Sequence, residues 1–250
     1  TSSVSHDSMA TIIAIANQKG GVGKTTTAVN LAACLAHYHH KKVLLIDLDL
    51  SCNATACLGY EAGAVGELQF GQILTSVRKK ERLPLAGCVL PTTIEGLTLI
   101  PGDREITGHL PAEYPFLLQE TLAPVLGDYD FILIDTPPSR SPIITHTYFA
   151  ADWLVVPVEI APLALEGLAD TIDMIHSFSR QRSNIDPEAF YRILRTKVDA
   201  RERRSLDFVG KELAPFADKL FQAAIRINAD LKHAQERRQS IFHYDHSSTG

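Results

Sequence analysis

Short apolar runs recur along the chain, closed by glycine, proline or acidic residues and separated by stretches with helical spacing. TIIAIAN (11–17) is apolar and β-branched and runs into a glycine-rich loop. TTTAVNLAACLAHY (25–38) follows, with Ala28, Leu31, Ala32 and Leu35 on one helical face. KKVLLIDLD (41–49) is a second apolar run, ending in acids, and LTLIP (97–101), DFILID (130–135) and WLVVPV (153–158) share its buried-strand character. AFYRILRT (189–196) and KLFQAAI (219–225) are weaker strands. Helical spacing is expected at roughly 112–126, 163–180, 203–214 and 228–238. Strands alternating with helices over the whole length predict one α/β domain, doubly wound around a mostly parallel sheet. Nearly continuous apolar strands predict helices on both faces. The domain is expected to span 10–245, with residues 1–9 as a loose tail or appended remnant.

Composition agrees with a packed core: 45% of the 250 residues are hydrophobic. No run of 18 apolar residues and no signal peptide is present, so a soluble internal protein is expected, with no membrane partner. The four cysteines, at 34, 52, 57 and 88, form no C-x-x-C pair and suit reduced thiols in a cytosol. HYHH (37–40) ends a helix and reads as a solvated helix end rather than a metal site. The net charge of −5 conceals an asymmetry. Residues 1–175 carry 10 Lys and Arg against 19 Asp and Glu, whereas residues 176–250 carry 14 against 10. A basic final third on an acidic protein is compatible with a polyanion-binding face or with a salt-bridged surface.

The candidate chemistry sits in ANQKGGVGKTT (16–26). A phosphate loop G-x-x-x-x-G-K-[ST] would need glycine at 18, where the chain has Gln. A second lysine, Lys19, precedes the Gly20-Gly21 pair instead. A strand, then glycines, then a helix gathers free backbone N–H groups and the positive end of a helix dipole around one point, which binds phosphate. Gly20, Gly21, Val22 and Gly23 form the cradle, Lys24 reaches the outer phosphates, and Thr25 holds Mg²⁺ beside Thr26. The fold class expected is that of the P-loop NTPases. A metal–phosphate site also needs carboxylates at neighbouring strand ends. Asp135 ends the run Phe131–Ile134 ahead of Thr136-Pro137-Pro138 and is placed to position the metal. Asp47 and Asp49 end the second strand, and Asp49 leads into LSCNAT, where a carboxylate can orient an attacking water.

These residues carry a resemblance. KGGVGKTT with its lysine at 19 resembles the deviant Walker A loop of the ParA/MinD family of partitioning ATPases, ParA type. DLDLSCNAT is similar to that family's D-x-D-P-Q-x-N-A-T segment, and YDFILIDTPPS to its D-x-P-P switch. The resemblance covers most of residues 11–240. It implies ATP and Mg²⁺ as ligands, ATP hydrolysis, and an ATP-dependent homodimer in which Lys19 reaches the phosphates of the partner's ATP. It implies that Thr196 and Asp199, in a T-x-x-D-like segment, lie near the base, with Arg226 as a further nucleotide contact. By the residues alone, Asp199 would also suit guanine. The chain departs from the family at Leu50-Ser51, where Pro-Gln is usual, in the loop that sets hydrolysis and its coupling to a stimulator.

The resemblance further implies non-specific DNA binding on the nucleoid of the cytoplasm, and a ParB-like or adaptor protein that stimulates hydrolysis while cargo is positioned. One DNA-contacting arginine would be Arg201; the second is replaced by Asp230, with Arg226 and Lys232 flanking it. Arg203, Arg204, Arg237 and Arg238 add charge. Three rivals share the loop. A nitrogenase-type iron protein would need a second cysteine beyond Cys88. A MinD-like membrane ATPase would end in a basic amphipathic helix, unlike QSIFHYDHSSTG. A biosynthetic ligase or amidase of the same superfamily would need a small-molecule pocket that no motif marks.

Overall fold

The computed structural model describes residues 9–245 except 62, 140, 161–163, 182–185 and 200–210. Its frame is one eight-stranded sheet. The strands are β1 (Thr11–Ile15), β2 (Val43–Asp47), β3 (Leu90–Pro91), β4 (Leu97–Ile100), β5 (Phe131–Asp135), β6 (Trp153–Glu159), β7 (Tyr191–Val198) and β8 (Leu220–Arg226). Their order is β3-β4-β2-β5-β1-β6-β7-β8. Every pairing is parallel except that of the two-residue β3 with β4. From β1 the chain first fills one side, reaching the edge at β3 and returning to β5 beside β1, and then runs outward on the other side through β6, β7 and β8, the doubly wound arrangement that the alternating pattern implies.

Successive residues of a strand face opposite sides, and here both sides are covered. In β2, Leu44 and Ile46 join one core while Val43 and Leu45 join the other. The second core is closed by α1 (Lys24–His37), whose Ala28, Ala32 and Ala33 are fully buried, with α2 (Asn53–Cys57) beside it. Small side chains let α1 lie close to the sheet. The first core is covered by α3 (Phe70–Arg78), α4 (Leu117–Leu122), α5 (Pro142–Ala150) and α6 (Ala164–Ser179). Two short helices, α7 (Ala229–Glu236) and α8 (Ile241–Tyr244), finish the described chain.

The strands match the apolar runs within a residue or two, except the two-residue β3, which no run predicted. The helix expected at 112–126 is shorter: α4 ends at Leu122 and a 3₁₀ turn, Ala123–Val125, follows. Pro124 has no N–H to continue the ladder. The helix expected at 203–214 falls largely on 200–210, outside the described residues. α3 and α5 were not expected from the pattern. Among the described residues no helix is long and apolar enough to cross a membrane.

Candidate functional site

Parallel strands place all their C-terminal ends on one edge of the sheet, so residues far apart in sequence converge there. Ile15 lies in register with Asp135, and Asp135 with Asp47. The loop after β1 crosses this edge and enters α1. Asn17, buried, ties its start down: its Nδ2 donates to the Pro157 carbonyl at 2.8 Å, and its Oδ1 accepts from the Lys19 N–H at 2.8 Å. Gly21 and Gly23 have φ of 75° and 91°, in the left-handed region open to glycine. Gly23 is the N-cap of α1; no side chain caps the helix and no acid stands in its first turn. The N–H groups and positive end of the dipole are therefore left to a ligand.

Lys24 is buried at 6% exposure, and its ammonium donates to the Lys19 carbonyl at 3.1 Å. Burial lowers its pKa, while Asp135 and then Asp49 pull it back up. Asp135 has no exposed surface, and neither of its carboxylate oxygens has a hydrogen-bond partner among the described residues. Burial drives its pKa well above the usual carboxylate range, and the neighbouring Asp47 adds to this; the Thr25 hydroxyl and Lys24 oppose it without closing a hydrogen bond. Asp47 is better served. Its Oδ2 accepts from the Thr55 N–H at 2.8 Å and the Thr55 hydroxyl at 2.7 Å, and its Oδ1 from the Asp49 N–H at 3.2 Å. Burial still pushes Asp47 up to about 6. A cation beside these two buried carboxyls would favour their ionised form, and a hard one suits oxygen donors.

A cleft of about 640 Å³ opens over this edge, lined among others by Gly21, Gly23, Lys24, Thr25, Asp49 and Lys197. Lys19 does not line it. Asp49 is half-buried, and its Oδ1 accepts from the Ser51 N–H at 2.9 Å and the Ser51 hydroxyl at 2.7 Å, which fixes the carboxylate at the rim. Gly20 is exposed, and Val22 is buried with its carbonyl accepting from the Thr196 hydroxyl at 2.8 Å. Thr196 thus braces the loop from β7, at 3% exposure. Asp199 follows β7, and Arg226 ends β8 on the surface.

The sequence reading missed Gln235 and Asn53, both lining the cleft. Gln235, on α7, donates to the Thr26 hydroxyl at 2.6 Å. A polar residue on an exposed helix carries no signal by itself; only the fold brings it over α1. Asn53 sits in the LSCNAT stretch already singled out as a loop. Cys57 also lines the cleft, and burial pushes its thiol up to about 11, so it stays protonated.

Of the candidate DNA contacts, Arg201, Arg203 and Arg204 lie outside the described residues. Lys232 is exposed on α7, 3.8 Å from Glu236 one turn on. Arg237 stacks on Tyr244, its guanidinium 5.2 Å from the ring centre, and Arg238 pairs with Glu61. Exposed i,i+4 pairs contribute little, so the Lys232 pair leaves that charge available to a polyanion.

The AAA domain family matches residues 10–187. The sporulation initiation inhibitor protein Soj of Bacillus subtilis is 34% identical over 248 residues, covering 97% of this chain and 94% of Soj. The chromosome-partitioning ATPase Soj of Thermus thermophilus is 37% identical over 242 residues, covering 95% of this chain and 90% of its own. Among solved structures, a putative plasmid partition protein of Borrelia burgdorferi B31 bound to AMPPNP superposes with a TM-score of 0.73 at 25% identity, over 94% of this chain and 96% of that one.

Proposed function

The chain belongs to the ParA/MinD family of partitioning ATPases, and on that premise we propose that it is an ATP-hydrolysing switch that dimerises over two nucleotides, binds DNA without reading its sequence, and positions a cargo. ATP binding by a P-loop ATPase is the common ground of the family; the dimer, the DNA and the cargo are the proposal.

The observation that carries it is the division of labour between two lysines. Lys24 is buried within its own cleft, whereas Lys19, five residues earlier, does not line that cleft. A cation outside its own site is free to serve a second one. Two nucleotide-loaded subunits closing face to face repel each other, and a trans lysine offsets that charge as an arginine finger does elsewhere.

Within one subunit the roles follow from chemistry. The loop from Gly20 to Gly23 and the uncapped start of α1 bind phosphates, with Lys24 on the outer ones. The unpartnered carboxyl of Asp135 and the Thr25 hydroxyl suit Mg²⁺, which would neutralise developing charge on the phosphates. Among the described residues no cluster of three His, Cys, Asp or Glu stands ready for a metal, consistent with an ion that takes much of its shell from phosphate and water. Asp49 orients the attacking water. Thr26 is held by Gln235 at the far side of the cleft. Thr196 supports the loop, and Asp199, just past β7, and Arg226, at the end of β8, are assigned to the base.

DNA binding is assigned to Arg201, Arg226 and Lys232, which offer charge and reach without base readout. A ParB-like or adaptor protein would stimulate hydrolysis and release the dimer, giving a cytoplasmic, nucleoid-associated cycle. A gel shift with random plasmid DNA tests this reading: retardation is expected with ATP and Mg²⁺ and not with ADP. No retardation at low salt with ATP would contradict it.

A further inference from the structure

Glycine inside a helix costs stability relative to alanine, so a glycine kept there has a reason. Gly167 lies within α6, and its reason is the phosphate loop. A Cβ built on it would stand 2.9 Å from the Lys19 Cβ and 3.3 Å from the Asn17 Oδ1. The missing methyl is what lets the helix come so close. One turn on, the Thr171 hydroxyl donates to the Gly167 carbonyl at 2.7 Å and accepts from the Gln18 N–H at 3.3 Å. The Gln18 amide donates to the Asp170 carbonyl at 2.9 Å. On the other side, Asn17 is tied to the Pro157 carbonyl of β6 at 2.8 Å. Asn17, Gln18 and Lys19 are thus clamped between α6 and β6 before the glycines begin.

We propose that Gly167, together with Thr171, is a positioning residue for Lys19: α6 sets the line along which the Lys19 ammonium leaves its own loop toward the partner subunit's nucleotide. The inference rests on the trans role given to Lys19 above. A lysine that must meet phosphate oxygens across an interface depends on direction, and a misplacement of about 1 Å can cost on the order of 10²-fold. Binding of nucleotide within the subunit is expected to depend on it less, because the Lys19 side chain does not line the cleft and only its carbonyl, which accepts from the Lys24 ammonium at 3.1 Å, bears on the site.

Gly167→Ala tests it, read by sedimentation in ATP and Mg²⁺ and by equilibrium binding of a fluorescent ATP analogue to the same protein. Alanine's helix preference is opposed by the contact with the Lys19 Cβ, so a modest fall in the melting temperature without nucleotide is expected, with the fold retained. Analogue affinity is expected to stay near wild type while the ATP-dependent dimer weakens roughly tenfold to a hundredfold. Thr171→Val, close in shape but lacking the hydroxyl, is expected to weaken the dimer in the same way, and Thr171→Ser to restore it. Analogue affinity falling in step with the dimer would mean that α6 supports the whole loop, and would overturn the proposal. So would a wild-type dimer in Gly167→Ala where Lys19→Ala is monomeric, an outcome that leaves the trans role standing. A wild-type dimer in Lys19→Ala would end both.

Discussion

Asp135 is the residue whose state costs the fold most plainly: fully buried, without a hydrogen bond, and beside a second carboxyl. Folded Asp47 and Asp135 both hold their protons more tightly than the unfolded chain does. Their contribution to stability is therefore present below pH 3.8 and lost as pH rises, through about 6 for Asp47 and over a higher range for Asp135. For Asp47 alone a move from 3.8 to about 6 corresponds to on the order of 3 kcal/mol. A divalent cation relieves this penalty only where the carboxyls are ionised. The gain in melting temperature on adding Mg²⁺ with ATP is expected to be larger at about pH 8 than at about pH 5; an equal gain at both would count against Asp135 as the metal's neighbour. Asp49 carries a separate expectation. It is held at the cleft rim by Ser51, and the role proposed for it is to orient water. Asp49→Ala should bind ATP and dimerise, yet turn over about 10²–10⁴-fold more slowly under saturating ATP. Unchanged turnover would move that role elsewhere.

At the scale of elements, the C-terminal ends of β2 and β4 are tied together by a buried hydrogen-bond hub on α2. The Thr55 hydroxyl donates to Asp47 at the end of β2 and accepts from the Gly102 N–H, just past β4, at 2.7 Å. Thr55→Val keeps the volume, removes one of the hydrogen bonds to Asp47 and leaves the Gly102 N–H unmet. It should cost about 1–3 kcal/mol in urea denaturation without destroying the fold; a loss near zero would show that water replaces the hydroxyl. The strands and α1 were legible in the sequence because apolar runs and a one-sided apolar face are local signals. α5 was not, since Ile143, Ile144, Thr147, Tyr148, Phe149 and Ala150 are all buried and a helix buried all round has no polar face to give it a period. α3 is short and carries Gly71, a poor helix former whose missing Cβ lets the helix pass against the His109 ring. The phosphate loop and its acids were legible for the opposite reason: their residue types are dictated by chemistry. Gln235 and Gly167 were hidden because each acts on a loop more than a hundred residues away in sequence.

For the whole molecule, the basic final third and the two-lysine loop describe one device. A single subunit presents few cations to DNA, and a dimer doubles them. If each subunit neutralises about two or three phosphates, the log–log salt slope of the ATP-bound form should be roughly −3.6 to −5.4. Arg226→Glu and Lys232→Glu should both flatten that slope, and Lys232→Glu should leave ATP binding intact; a slope unmoved by both would place the DNA face elsewhere. The proposed DNA binding depends on the proposed dimer, and that dimer in turn on the trans role proposed for Lys19. Sedimentation velocity of wild type and Lys19→Ala, each in ATP and Mg²⁺, is the most direct measurement. A dimer is expected for wild type and a monomer that still takes up ATP for Lys19→Ala. Two dimers of equal strength, or a wild type that stays monomeric with ATP bound, would contradict the division of labour between Lys19 and Lys24.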